Sequence, residues 1–274
     1  MGALFGLLAA LSISTTELFG RRVTNEVGPI VAASITSLLA AVTALIIASL
    51  TDGSVIGRDL LLGGASGLGF GIGMSTYLHG VRVSSSAVVG PVSAALTALI
   101  PFGYAAVVAE APGALGYAGA ALAIIGLMLV TIGGSAATNV AGGLPFGTMS
   151  GLGYGLGTLV LINVSDDSGS WPVVTQRLAA FAAVAAFALA RKRPVFPPRQ
   201  YALPSLGAGL FAGLSSVLAL IGLSVNAAAA SVTITMFPAG SVIIGRVLFR
   251  DAVTRAQVIG LAIVIAGTIA IVVG

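Results

Sequence analysis

Glu17 stands inside an apolar run, in the segment SISTTELFGRR, and no other residue so directly promises chemistry by its type and position. A carboxyl group among apolar side chains is expensive to keep charged, so it marks a cavity, a cationic partner or a proton to be exchanged. Two readings stay open. Glu17 faces the interior and carries a proton, or it sits near a boundary and pairs with Arg21 one helical turn later. Depth in the run separates them. His79, the single histidine, ends another apolar run beside Tyr77 and before Arg82. It can line a ligand path, or it can sit at a membrane interface as amphipathic rings do. With no cysteine in the chain and no carboxylate near it in sequence, it makes a poor metal ligand. Tyr77, Tyr104, Tyr154 and Asn163 put polar groups into otherwise apolar stretches, as do Ser12, Ser14, Thr15 and Thr16. A few oriented polar groups in an apolar wall suit a small neutral or amphipathic ligand, although each can equally bond a neighbouring helix.

Other residues point to structure. Glu110 and Asp251 each precede a terminal apolar run, where an acid is favoured by the helix macrodipole, and Pro112 suits a first helical turn. The glycine ladders GLGFGIG (67–73) and GLGYGLG (151–157) fit neither the dinucleotide fingerprint nor a P-loop. Small residues four apart instead let helix backbones approach closely within a membrane. Gly119, Gly126 and Gly133, with Gly260, Gly267 and Gly274, form heptad-spaced stripes that predict close helix packing, inside the chain or in a homodimer. One histidine and scattered acids supply no convergent acid, base or metal set, so an enzyme is not expected, nor a cofactor.

The elements that must position these residues follow from composition. Of 274 residues 57% are hydrophobic and only 7% charged, too few to cover a water-facing surface, where about 25% is usual. The chain reads as an all-α, polytopic membrane protein. Its net charge of +4 comes from short basic clusters between apolar runs, which record orientation in a bilayer and do not indicate a nucleic-acid partner. The runs fall at about 2–20, 29–50, 59–80, 84–109, 114–133, 143–164, 172–190, 202–224, 228–249 and 256–273. Their lengths predict ten transmembrane helices. The first lacks a positive leader and an evident cleavage site, and reads as a spanning helix. Trp171 reads as an interface anchor.

The stretch YLHGVRVSSSAVV (77–89) is echoed by ALIGLSVNAAAAS (219–231), and the echo extends along the chain. Adding 141 takes Gly2, Phe5, Gly6, Leu11 and Leu18 to Gly143, Phe146, Gly147, Leu152 and Leu159. Adding 142 takes Gly67, Leu68 and Gly71 to Gly209, Leu210 and Gly213, and adding 141 takes Gly119, Ala121, Ile124 and Gly126 to Gly260, Ala262, Ile265 and Gly267. The near-constant offset predicts two repeats, residues 1–135 and 142–274, of five helices each. Five is odd, so the second copy enters the membrane from the opposite side and the repeats are inverted. Thr158 stands where the second repeat would have its Glu17.

With these features the chain resembles the EamA-domain family of the drug/metabolite transporter superfamily. GVRVSSSAVV resembles that family's stretch between the third and fourth helices of a repeat. VVAEAPGALGYAGAALAIIGLMLV and VLFRDAVTRAQVIGLAIVIAGTIAIV resemble its acid-then-helix endings, with Asp251 where the family more often has Glu. The resemblance implies a secondary transporter working by alternating access, with a cavity lined by the first, third and fourth helices of both halves. Tyr77, Tyr104 and Tyr154 fall on those helices. Export of a small metabolite or drug-like compound, with proton exchange through Glu17, is the most concrete expectation. An uncoupled facilitator or importer, and a non-transporting structural membrane subunit, are the alternatives. A cell (inner) membrane location is expected. With ten crossings both termini share one side, and the arginines and Lys192 gather on the other, leaving Arg58 and Arg177 with the termini. Positive-inside reasoning puts the termini outside, whereas the resemblance implies the cytoplasm.

Overall fold

The computed structural model describes residues 1–108, 112–132, 139–250 and 252–273. Glu110, Asp251, Gly133 and Gly274, singled out above, lie outside the described residues. Among the described residues the regular structure is entirely helical: α1 (Gly2–Glu26), α2 (Pro29–Leu50), α3 (Gly57–Val83), α4 (Ser86–Val108), α5 (Ala114–Ile132), α6 (Val140–Leu161), α7 (Trp171–Ala190), α8 (Ala202–Val225), α9 (Ala227–Ile234), α10 (Phe237–Phe249) and α11 (Arg255–Val273). Short 3-10 turns at Asp166–Ser168 and Arg199–Tyr201 precede α7 and α8.

Among the described residues seven segments are long and apolar enough to cross a membrane: α1, α2, most of α4, α5, α7, α8 with the turn before it, and the α9–α10 pair. The chain is therefore a multi-pass membrane protein. Helices α3 and α6 fall short because they carry the glycine ladders, which add length without apolar side chains. The packing is that of a protein in lipid. Its interior is filled by small residues such as Ala9, Ala40, Ala44, Ala98, Ala105 and Ala230, while Leu61, Val107 and Leu203 lie exposed on the outside.

Two boundaries differ from the sequence reading. Helix α1 continues through GRRVTNE to Glu26, and Arg22 Nε donates to Glu26 Oε1 at 2.9 Å within its last turns. The run 228–249 is broken into α9 and α10 at Thr235 and Met236. Pro238 is the cause: it has no N–H to give Ile234, and its ring crowds that carbonyl. The side chains of Ser231, Thr233 and Thr235 turn back onto carbonyls of α9, at 2.6–2.9 Å in their shortest bonds.

The most extensive helix pairings all join the first five helices to the rest: α5 with α11, α1 with α8, α3 with α6 and α7, α4 with α6, and α2 with α8 and α7. These contacts are reciprocal in the offset of about 141. A Cβ at Gly222 would lie 3.2 Å from Phe5 Cβ, and one at Gly80 would press on Phe146 Cβ. Gly2 abuts Asn226, and Gly143 abuts Ser84. Gly6 meets Ala230 and Thr233, and Gly147 meets Val89 and Val92. Gly67 and Gly71 of α3 face Gln176, Ala180 and Ala183 of α7, whereas Gly209 and Gly213 of α8 face Leu39, Ala40 and Thr43 of α2. Exchange of this kind is the property of a two-fold arrangement.

The glycine stripes of α5 and α11 face each other. A Cβ at Gly119 would sit 2.7 Å from Gly267 O and Ile271 N, and one at Gly126 would sit 2.7 Å from Gly260 O and Val264 N. As numbers rise along α5 they fall along α11, so the two helices run antiparallel. Gly119, Gly126, Gly260 and Gly267 are thus all filled by the partner helix within the chain. The ladders on α3 and α6 pack the same way, with Gly69 and Gly153 each against the other's carbonyl at 2.7 Å.

Candidate functional site

Glu17 lies 15 residues into α1, about 22 Å along it at 1.5 Å per residue, and so well inside the helix. It reaches sideways to α10, where Ser241 Oγ donates to its Oε2. Ser241 also donates to Phe237 O at 3.0 Å, and Ser14 Oγ donates to the same carbonyl at 2.8 Å. Phe237 sits just after the break before α10, where a carbonyl has lost part of its helical surroundings. Hydroxyls of both α1 and α10 converge on it. The Glu17 side chain is exposed on the surface of the bundle beside α10.

Tyr77 of α3 and Tyr154 of α6 are both partly buried between helices. Tyr154 O–H points to Met74 Sδ at 3.4 Å, and its ring stands edge-on to Phe70 with centroids 5.4 Å apart. Arg177 lies in α7. Its Nε donates to Ser216 Oγ at 2.6 Å; Nη2 donates to the same hydroxyl and to Ala212 O at 3.1 Å. Glu17 of α1, Tyr77 of α3, Tyr154 of α6 and Arg177 of α7 are thus polar side chains set in otherwise apolar helices.

Arg177 and its holder Ser216 were missed in the sequence, where Arg177 counted as a charge near a membrane face. It lies six residues into α7, about 9 Å from its start, and is half-buried. The signal was present, because Arg177 is the sole charge of the run 172–190. The rule that singled out Glu17 applies to it equally.

The remaining expected residues lie elsewhere. Tyr104 O–H donates to Asn163 Oδ1 at 2.6 Å, and Asn163 Nδ2 donates to Leu159 O at 3.0 Å. This pair ties α4 to the end of α6. His79 rests edge-on against Phe146, centroids 4.8 Å apart, with Arg191 Nη2 3.3 Å from its Nδ1. That holds the ends of α3 and α7 together. On the side of the α2–α3 turn, the fully buried Asp59 accepts from Ser168 Oγ at 2.5 Å, Ser165 N at 3.2 Å and Arg58 Nη1 at 3.2 Å. At the opposite end, Tyr201 O–H donates to Glu26 Oε2 at 2.7 Å. Both ends of the bundle are therefore tied by polar latches.

Among the described residues the chain is a helical, multi-pass integral membrane protein. The chain belongs to the EamA-like transporter family, whose sequence pattern matches residues 1–132 and again 141–273. No curated protein matches it. Among solved structures 29 chains match. One is a crystal structure of a protein 18% identical, which superposes with a TM-score of 0.81 over 98% of this chain and 95% of its own. At that identity the likeness is one of fold.

Proposed function

We propose that this chain is a secondary transporter that exports a small metabolite or drug-like compound by alternating access, with Glu17 exchanging the coupling proton. In this reading ten helices cross the cell membrane as two inverted repeats, residues 1–135 and 142–274, with α9 and α10 together making one crossing. The antiparallel course of the equivalent helices α5 and α11 and the reciprocal glycine contacts support the inversion. Two inverted halves supply two gates of similar construction around a central site. The latches at Asp59 and at Glu26 lie where such gates would close. With Arg177 inside the bundle, Arg58 alone remains with the termini, and the positive-inside rule favours termini outside.

The observation that carries the proposal is Glu17 bonded across the two halves to Ser241. An ionisable group between two moving bodies exchanges its proton only when one gate opens, which is what coupling requires. The test is metabolite profiling of cells and medium with the wild-type protein, without it, and with Glu17→Gln. Movement of one compound class to the medium with wild type, lost in Glu17→Gln while the protein stays folded, is the expected result. Accumulation inside the cell would reverse the direction. Equal transport by Glu17→Gln at every pH would remove the proton from the mechanism.

A further inference from the structure

Arg177 is a guanidinium inside a membrane bundle, and among the described residues no carboxylate forms an ion pair with it. Its bonds run to a hydroxyl and a carbonyl, Ser216 Oγ and Ala212 O. These neutral partners fix its orientation without cancelling its charge. Nη1 bonds none of the described residues. A cation held in this way in a low-dielectric setting is costly, and such residues pair with an opposite charge or mark a substrate path. Ser216 is buried and lies one turn beyond Ala212 on α8, so two groups of one helix face grip one edge of the guanidinium.

We propose that Nη1 of Arg177 receives the carboxylate of an apolar organic monoanion, so that the substrate supplies the missing counter-charge. The inference rests on the transporter reading and names the substrate class for the same site. The two N–H groups of Nη1 bond none of the described residues, and a guanidinium N–H donates to a carboxylate oxygen as a short, charge-assisted bond. A single cation neutralises a single negative charge. The helices that carry Arg177 and Ser216 are otherwise apolar, with Val173, Val174, Val217 and Leu220 packed in one cluster, a setting for a hydrocarbon or ring body and not for a sugar. Nothing in the Arg177 environment demands an amino group on the ligand.

The test uses purified full-length protein in lipid nanodiscs and a panel of aromatic and aliphatic monocarboxylates, each paired with its neutral amide. Equilibrium binding is measured for wild type, Arg177→Gln and Arg177→Lys. At least one carboxylate is expected to bind tenfold or more tightly than its amide, with that preference lost in Arg177→Gln and partly kept in Arg177→Lys. If every amide binds as well as its carboxylate, or Arg177→Gln keeps the preference, the proposal is overturned. Should Arg177→Gln fail to fold, the carboxylate–amide comparison on wild type decides alone. Flux in proteoliposomes separates this inference from the one beneath it. Carboxylate binding without flux removes the transporter reading and leaves the site, whereas flux of neutral compounds with no carboxylate preference does the reverse.

Discussion

Replacing Gly126 by Ala tests the α5–α11 seam with a sign that ordinary helix chemistry does not give. The new Cβ would lie 2.7 Å from both Gly260 O and Val264 N. A carbon contact is comfortable at about 3.5 Å, so each distance is short by roughly 0.8 Å. The obstructing atoms are backbone and cannot rotate aside, so the helices must part along the stripe. Overpacking of this kind costs about 1–3 kcal/mol. Removing a glycine from a helix interior returns roughly 0.5–1 kcal/mol. The balance is a net loss of about 0–2.5 kcal/mol, the difference of those two ranges. Gly64 of α3 and Gly103 of α4 are helical glycines with nothing within 4 Å of the added carbon, and Ala there is expected to stabilise by the helix term alone. Gly260→Ala strikes the same seam from the other side, so the double variant costs less than the sum of the singles. Reversible unfolding in mixed micelles, followed by fluorescence of Trp171, the single tryptophan, gives the numbers. If Gly126→Ala stabilises as Gly64→Ala does, the close approach of α5 and α11 is wrong.

Two further substitutions address the latches. Asp59→Asn keeps an oxygen for Ser168 but loses the charge that gathers Ser165 N and Arg58, a loss of about 1–3 kcal/mol. Faster hydrogen exchange at residues 165–169, with the remaining helices unchanged, is the expected readout. Tyr201→Phe removes the bond to Glu26 while the buried ring stays, and because the exposed carboxylate rehydrates only a small loss of stability is expected. Glu26→Gln keeps an oxygen for Tyr201 and should cost less still, and a large effect from either would place Glu26 in another role.

Much of the architecture was legible because glycine positions are constrained from outside. A glycine at 80 is needed where Phe146 arrives, and its counterpart at 222 where Phe5 arrives, so the offset survives in the letters. The break before α10 was equally visible in Pro238, but the apolar run around it reads as continuous. At the site, Glu17, Tyr77 and Tyr154 were recognised by being polar in apolar runs. Their order in space was not, since it depends on which faces of α1, α3 and α6 meet. Arg177 was misread for want of depth: a charge six residues into a run looks like a boundary until the helix is laid out. Asp59 escaped notice because its partners lie 106 and 109 residues away. No local pattern announces them.

The exchange of contacts between halves also bears on how the chain is made. The broadest packing surfaces of α1, α2, α3 and α5 are completed only by α6, α7, α8 and α11. A first half emerging into the membrane during synthesis therefore has its glycine faces covered by lipid alone and no finished core of its own. It stays a loose set of helices until the second half is inserted. Assembly is then a late, concerted event, and quality control in the membrane has its longest opportunity between the insertion of α5 and the arrival of α11.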